Sequence, residues 1–173
     1  LKKDNQFFMK KARRPSPRSL SFEEVYAKAC RYCAYQERSP AEVEQFLKDK
    51  FMLSEVERRR CIDHLIEDGF LNKRRFAMLY VQSKFRQKQW GKQKIAFHLK
   101  QKAIDDQLIE EALDALDPIE YEACLQKLLE QKNESLQKTE SDPLKQRAKL
   151  IRYAQQKGYE SDLIYKLMQA LGN

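Results

Sequence analysis

The sequence predicts an all-α protein, and three observations carry that reading. Gly and Pro are scarce, four and five in 173 residues, whereas Leu, Ala, Glu, Gln, Lys and Arg abound. Straight-chain residues lose little rotamer freedom on a helix, so such a composition favours helix almost throughout. No β-branched run of strand length stands between turn signals. Apolar residues instead recur at helical spacing, bounded by capping residues and stop signals.

Taken in order, these signals divide the chain into nine helices. The first opens at Ser21, an N-cap with Glu24 three residues on, and runs to about Gln36. The second begins at Ser39-Pro40, with proline at the first helical position, and ends near Lys50. Ser54, followed by Glu57, caps a third that Gly69 stops after Asp68. A fourth starts after Asn72 and reaches about Gln89; Gly91 separates it from a fifth that ends near Lys102. Asp105 opens a sixth, closed by Asp117-Pro118. The seventh is expected over about 118–132, before a polar loop from Asn133 to Asp142. The eighth runs from Pro143 to Lys157 and is stopped by Gly158; the ninth covers Ser161 to about Leu171.

Self-comparison groups the nine in threes. Phe46-Leu47-Lys48-Asp49-Lys50, His98-Leu99-Lys100-Gln101-Lys102 and Tyr153-Ala154-Gln155-Gln156-Lys157 each end a helix. Each is followed by a short turn and another amphipathic helix, containing Cys61-Ile62 and His64-Leu65, then Leu108-Ile109 and Ala112-Leu113, then Leu163-Ile164 and Leu167-Met168. A three-helix unit of this size buries little core alone, so neighbours must stack. The expectation is three tandem three-helix, helix-turn-helix-like repeats over 21–70, 71–117 and 118–173, in an elongated, curved array. Residues 1–20 form a basic tail expected to be disordered.

The net charge of +8 is sharply partitioned. Residues 1–20 carry +6, residues 21–70 carry −3, residues 71–102 carry +10 without a single acid, and residues 103–173 carry −5. Ten like charges repel one another, so the middle block makes most sense beside an anion, either nucleic acid or an acidic protein surface.

Other chemistry finds little support. Cys30 and Cys33 form one CxxC, but Cys61 and Cys124 stand alone, and His64 and His98 are isolated. Zinc would need a second pair or nearby His, and a redox CxxC a βαβ setting. The four are expected as buried thiols of a reducing cytoplasm, and no metal or cofactor is expected. There is no glycine-rich phosphate loop, no paired-carboxylate signature and no His set near a nucleophile. An enzyme is therefore not expected. No apolar run approaches the ~20 residues of a membrane span, and the basic N-terminal stretch lacks the apolar core of a signal peptide.

Several runs resemble a known family. Tyr32-Cys33-Ala34-Tyr35-Gln36-Glu37-Arg38-Ser39 with Glu42-Val43, then Gly69-Phe70-Leu71-Asn72 with Arg75-Phe76-Ala77 and Tyr80-Val81, resemble the first repeat of RecX proteins. Trp90-Gly91-Lys92 with Lys94-Ile95 and Leu99-Lys100 is similar to the second-repeat opening, and Gln146-Arg147-Ala148-Lys149-Leu150 with Lys157-Gly158-Tyr159 to the third. The resemblance covers essentially residues 21–171. Two positions depart from it. Phe51 stands where a glycine usually follows the second helix, and Lys73 occupies an often acidic position before Arg74.

The resemblance implies a cytoplasmic modulator of RecA. Such a protein binds RecA and its filament on single-stranded DNA, limiting filament growth, ATP hydrolysis, strand exchange and LexA cleavage from the filament's deep groove. It needs no catalytic residue. The contact set expected on the basic block is Arg74, Arg75, Lys84, Arg86, Lys88, Lys92, Lys94 and Phe97. On a helical wheel Phe76, Ala77, Tyr80 and Val81 face the core with Lys84 inside their arc. Phe97 instead points away, between Lys94 and Gln101. An exposed aromatic beside bases suits a hot spot on protein or a platform for single-stranded bases, and contact with an adjacent repeat is the plainer reading. The alternative function is a DNA-binding protein that uses its helix-turn-helix-like units without RecA. Weak, salt-sensitive DNA binding and a monomeric state are expected in either case.

Overall fold

The computed structural model describes residues 20–170, and the described residues are helical apart from short connections. In chain order the helices are α1 (Phe22–Tyr35), α2 (Pro40–Lys50), α3 (Glu55–Glu67), α4 (Lys73–Lys88), α5 (Lys92–Gln101), α6 (Asp106–Asp114), α7 (Pro118–Gln137), α8 (Pro143–Lys157) and α9 (Ser161–Ala170). The fold is all-α, a tandem array of three-helix units, as the composition and repeat pattern predict. The expected tail falls, except for Leu20, outside the described residues, as does Leu171.

Capping explains the boundaries of the first unit. Ser21, Ser39 and Ser54 each accept a hydrogen bond from the backbone N–H three residues on, and the carboxylate there reaches back to the serine N–H. Each reciprocal box satisfies two amides that the helix start would leave unpaired, and loss of such a cap costs about 1 kcal/mol. Ser39 is fully buried, so its capping bonds also remove the penalty of a dry hydroxyl. Where the resemblance leads one to expect glycine, Phe51 ends α2 in extended backbone at φ −136°, a conformation open to any residue, and packs edge-on against Phe46.

Two boundaries differ from expectation. α7 continues five residues past Lys132 to Gln137, leaving only the stretch from Lys138 to Asp142 as the loop. The polar residues after Lys132 mask one apolar contact: Leu136 is buried, in helical register with Leu128 and Leu129. α6 stops at Asp114, three residues early; the Leu116 N–H turns back to the Leu113 carbonyl so that Leu116 can be buried.

The units share their cores unequally. Val25, Ala29, Cys33, Val43, Leu47, Cys61, Leu65 and Leu71 form a closed cluster within α1–α3 and the turn that follows. A second cluster runs without interruption through α4–α9, from Phe76 to Met168. The first unit therefore meets the second mainly through polar groups. Arg75 pairs with Glu37, the Lys102 Nζ lies 2.8 Å from a Glu42 oxygen, and the Ala41 N–H donates to the Lys102 carbonyl at 3.4 Å. The second and third units are joined by apolar packing and backbone bonds: Gly91 N–H donates to the Lys157 carbonyl at 2.8 Å and Gln93 N–H to the Gly158 carbonyl at 3.0 Å.

Candidate functional site

The basic block occupies α4, α5 and their connection. Within it the fold supplies what the linear sequence withholds, because carboxylates from elsewhere neutralise half of the ten cations. Lys73 pairs with Asp105, Arg74 with Glu111, Arg75 with Glu37, Lys100 with Asp106 and Lys102 with Glu42. Arg74 and Arg75 thus hold acids across helix and unit boundaries. Lys73, where the resemblance leads one to expect an acid, is likewise tied down. The acid-free run in sequence is not an acid-free surface in space.

The other five, Lys84, Arg86, Lys88, Lys92 and Lys94, have no carboxylate partner among the described residues. Lys84 is half-buried, as its place in the core arc requires, and its ammonium lies 5.0 Å from the Tyr80 ring centre and 5.6 Å from that of Trp90. Its stem covers the aromatic face while the charge reaches the edge. Lys94 approaches Trp90 as well, at 4.8 Å, and donates to the Gln156 carbonyl at 3.0 Å. His98 stacks on the same indole at 4.8 Å. The α4–α5 turn therefore builds an aromatic-centred cationic cluster around Trp90. Gln89, at φ 54°, makes the left-handed step that brings this indole back over α4 and α5.

Lys92 belongs to a different surface. Its ammonium sits 5.5 Å from the Tyr121 ring centre, and its backbone N–H donates to the Tyr121 hydroxyl, which donates in turn to Glu160 at 2.7 Å. Arg86 and Lys88 are exposed on the last turn of α4, where their charge also suits the helix C-terminus. Phe97 is 60% exposed, with His98 edge-on beside it, so it projects outward as the helical wheel predicts. It does not serve as a seam between units. Tyr80, placed with the core by periodicity, is only half-buried and stacks against Phe76 at 5.7 Å.

Sequence reasoning missed the bases that the third unit adds. The Lys157 Nζ donates to the Lys88 carbonyl at 3.2 Å, and Gln156 meets Lys94, so α8 extends the cluster. The signal was present in the repeat itself, because Lys157 holds the position of Lys50 and Lys102 at a helix end. Of the four cysteines, expected to be buried, only Cys33 and Cys61 are; Cys30 and Cys124 are half-exposed at the margins of their cores. All four are free thiols. No group of three or more His, Cys, Asp or Glu among the described residues is arranged to hold a metal ion.

Family comparison agrees with this architecture over the second and third units. The second three-helix domain of RecX matches residues 72–113, and the third three-helix domain of RecX matches residues 120–168. The chain belongs to the RecX family. It is 36% identical over 100 residues to the regulatory protein RecX of Clostridium tetani, covering 58% of this chain and 45% of that one. It is 30% identical over 133 residues to the regulatory protein RecX of Clostridium perfringens strain 13, covering 75% of this chain and 62% of the relative. The chain thus spans about half to three-fifths of the length of these relatives. Among solved structures, RecX from Lactobacillus salivarius superposes with a TM-score of 0.75 at 24% identity, over 87% of this chain and 96% of that one. A second structure of regulatory protein RecX gives 0.74 at 20% identity, over 86% of this chain and 73% of its own. At those identities the structural likeness establishes the fold, and the RecX domains carry the family.

Proposed function

We propose that this chain is a negative regulator of RecA that binds the RecA–single-stranded DNA filament and inhibits its recombinase, ATPase and coprotease activities. One observation supports this most. On a RecX second domain, five cations remain without carboxylate partners after the fold has neutralised the other five, and an exposed Phe97 stands beside Lys94. A surface of that kind suits a polyanionic, partly apolar filament. Occupying such a filament requires no catalytic group, so the chain acts by binding. Membership of the RecX family and relatives named regulatory proteins favour the same reading. No helix among the described residues is long and apolar enough to cross a membrane, and the proposed site of action is the cytoplasm, as a monomer.

The deciding experiment follows DNA-dependent ATP hydrolysis by the cognate RecA while this chain is added substoichiometrically. The expected result is a falling rate with no matching loss of free DNA. An unchanged rate, alongside tight DNA binding by the chain alone, would reassign it as a DNA-binding module.

A further inference from the structure

The third unit carries a cationic cleft outside the basic block. Between α7 and α8 lies an open cavity of about 200 Å³ lined by Lys132, Leu136, Lys149, Arg152, Tyr153 and Gln156. Its charge runs against that of its surroundings. Residues 103–173 hold five more acids than bases, yet Lys132, Lys149, Arg152 and Lys157 converge around one tyrosine. Lys149 is answered by Glu140 at 2.8 Å. Lys132, Arg152 and Lys157 have no carboxylate partner among the described residues. Two of these ammoniums, Lys132 at 5.6 Å and Lys157 at 5.8 Å, are held over the Tyr153 ring, which fixes their heads near the cleft mouth.

The cleft is continuous with the cluster on the second unit. Gln156, in its wall, accepts from the Lys94 Nζ, and the Lys157 Nζ reaches the Lys88 carbonyl. Unpaired cations therefore follow one another from Lys84 and Lys94, through Lys88 and Lys157, to Lys132 and Arg152. We propose that the α7–α8 cleft binds a phosphodiester group of a single-stranded nucleic acid whose backbone continues across Lys157 onto Lys88 and Lys94. The Arg152 guanidinium offers a planar donor fork that matches phosphate geometry, and Lys132 supplies a point charge. Aromatic rings interleaved with the cations, Tyr153 in the cleft and Phe97 on α5, suit unstacked bases better than a closed duplex. The inference rests on the reading of the chain as a protein that works on a single-stranded DNA complex. Its test contains no RecA, so the two can fail separately.

The full chain is titrated into dye-labelled oligothymidylate, with anisotropy recorded across a range of salt concentrations. Lys132→Gln combined with Arg152→Gln should raise Kd about tenfold at low salt. It should also flatten the log Kd against log salt slope by about 1.4, because each phosphate contact on a single strand contributes about 0.7. Arg152→Lys should keep the wild-type salt slope, because the charge remains, while losing the part of the affinity that the planar fork supplies. All three proteins should melt at the same temperature, which separates lost contacts from lost folding. The proposal is overturned if the double variant keeps wild-type affinity and slope, or if the wild-type chain does not bind the oligomer. It is equally overturned if ATP displaces nothing from the strand yet binds the wild type and not the double variant, since the cleft would then serve a free nucleotide.

Discussion

Gly91 and Gly158 touch backbone to backbone, and the seam between the second and third units is built on that contact. A Cβ on Gly91 would lie 2.2 Å from the Gly158 carbonyl oxygen, and one on Gly158 would lie 2.2 Å from the Lys94 Cβ with φ already at +90°. The close approach allows the Gly91 and Gln93 N–H groups to bond across the seam. Gly91→Ala should therefore push α5 away from α8 and cost about 3 kcal/mol, as overpacking of a tight interior does. Gly69→Ala makes the contrasting control, because Gly69 has a φ of +76° where Gly91 has −76°, and open space around it, so only backbone strain of about 1 kcal/mol is at stake. Thermal melting of the two variants should separate them clearly, and equal losses would show that the contact does not hold the seam.

The junction between the first and second units should respond to pH. Burial alone would raise the Glu42 carboxyl, but hydrogen bonds from Lys102 and from the Ser39 capping box, with the Lys102 charge, hold it below its ordinary value of 4.5. A depressed folded value means that stability is present above the unfolded value and lost as pH falls through the lower folded one. Amide exchange in α1–α3 should thus speed up below pH 4.5 at pH values where α4–α9 stays protected, because the first unit has its own core. Glu42→Gln should lower protection by on the order of 1 kcal/mol at neutral pH, after allowance for solvent screening, and flatten the acid response. An acid response unchanged in the variant would assign it to another group.

Much of this fold is legible in the sequence because its helices are bounded by local chemistry. Three Ser-x-x-Glu boxes, Pro40, Pro118 and Pro143 near helix starts, and Gly69 and Gly158 at ends act within a few residues, so spacing along the chain reveals them. Leu136 escaped because one apolar residue in a polar run carries little periodic signal, although its burial keeps α7 helical. The site was half legible for a different reason. Charge counting finds Lys84, Lys88 and Lys94, but pairing is a tertiary property. Glu37 is 38 residues from Arg75 and Glu42 is 60 from Lys102, so no window along the chain joins them.

Thiol chemistry should separate the cysteines by burial. Burial, with the neighbouring Cys30 charge as a smaller cause, pushes the Cys33 and Cys61 thiols up to about 11. Because the thiolate is the nucleophile, both should be nearly inert to iodoacetamide at pH 8 in the folded protein and should react only as fast as the first unit opens. Mass mapping of alkylated peptides after short exposure should show label on Cys30 and Cys124 first. Early label on Cys61 would mean that the α1–α3 core opens far more readily than its packing implies.

The two halves of the basic block should behave differently under mutation. Arg74 and Arg75 are engaged by Glu111 and Glu37, so a partner would have to break those pairs before using them. Lys84 and Lys94 converge on Trp90 without a carboxylate, and Arg86 lies on the last turn of the same α4. Charge reversal of Arg86 and Lys94 together should abolish inhibition of RecA ATP hydrolysis while leaving helicity unchanged. Arg74→Gln should shift the inhibition curve less than threefold. Phe97→Ala adds a second axis: the ring is mostly exposed, so its loss should move stability by no more than about 0.5 kcal/mol. If the ring is an anchor, the concentration for half-inhibition should nevertheless rise about tenfold, the equivalent of about 1.4 kcal/mol. Leu99, fully buried two residues on, supplies the opposite pattern, since Leu99→Ala should cost 2–5 kcal/mol of stability, roughly, and act on inhibition only through unfolding. Full inhibition by the Arg86 and Lys94 reversal, with loss on Arg74→Gln, would place the partner on the paired half of the block and remove the Trp90 cluster from the site.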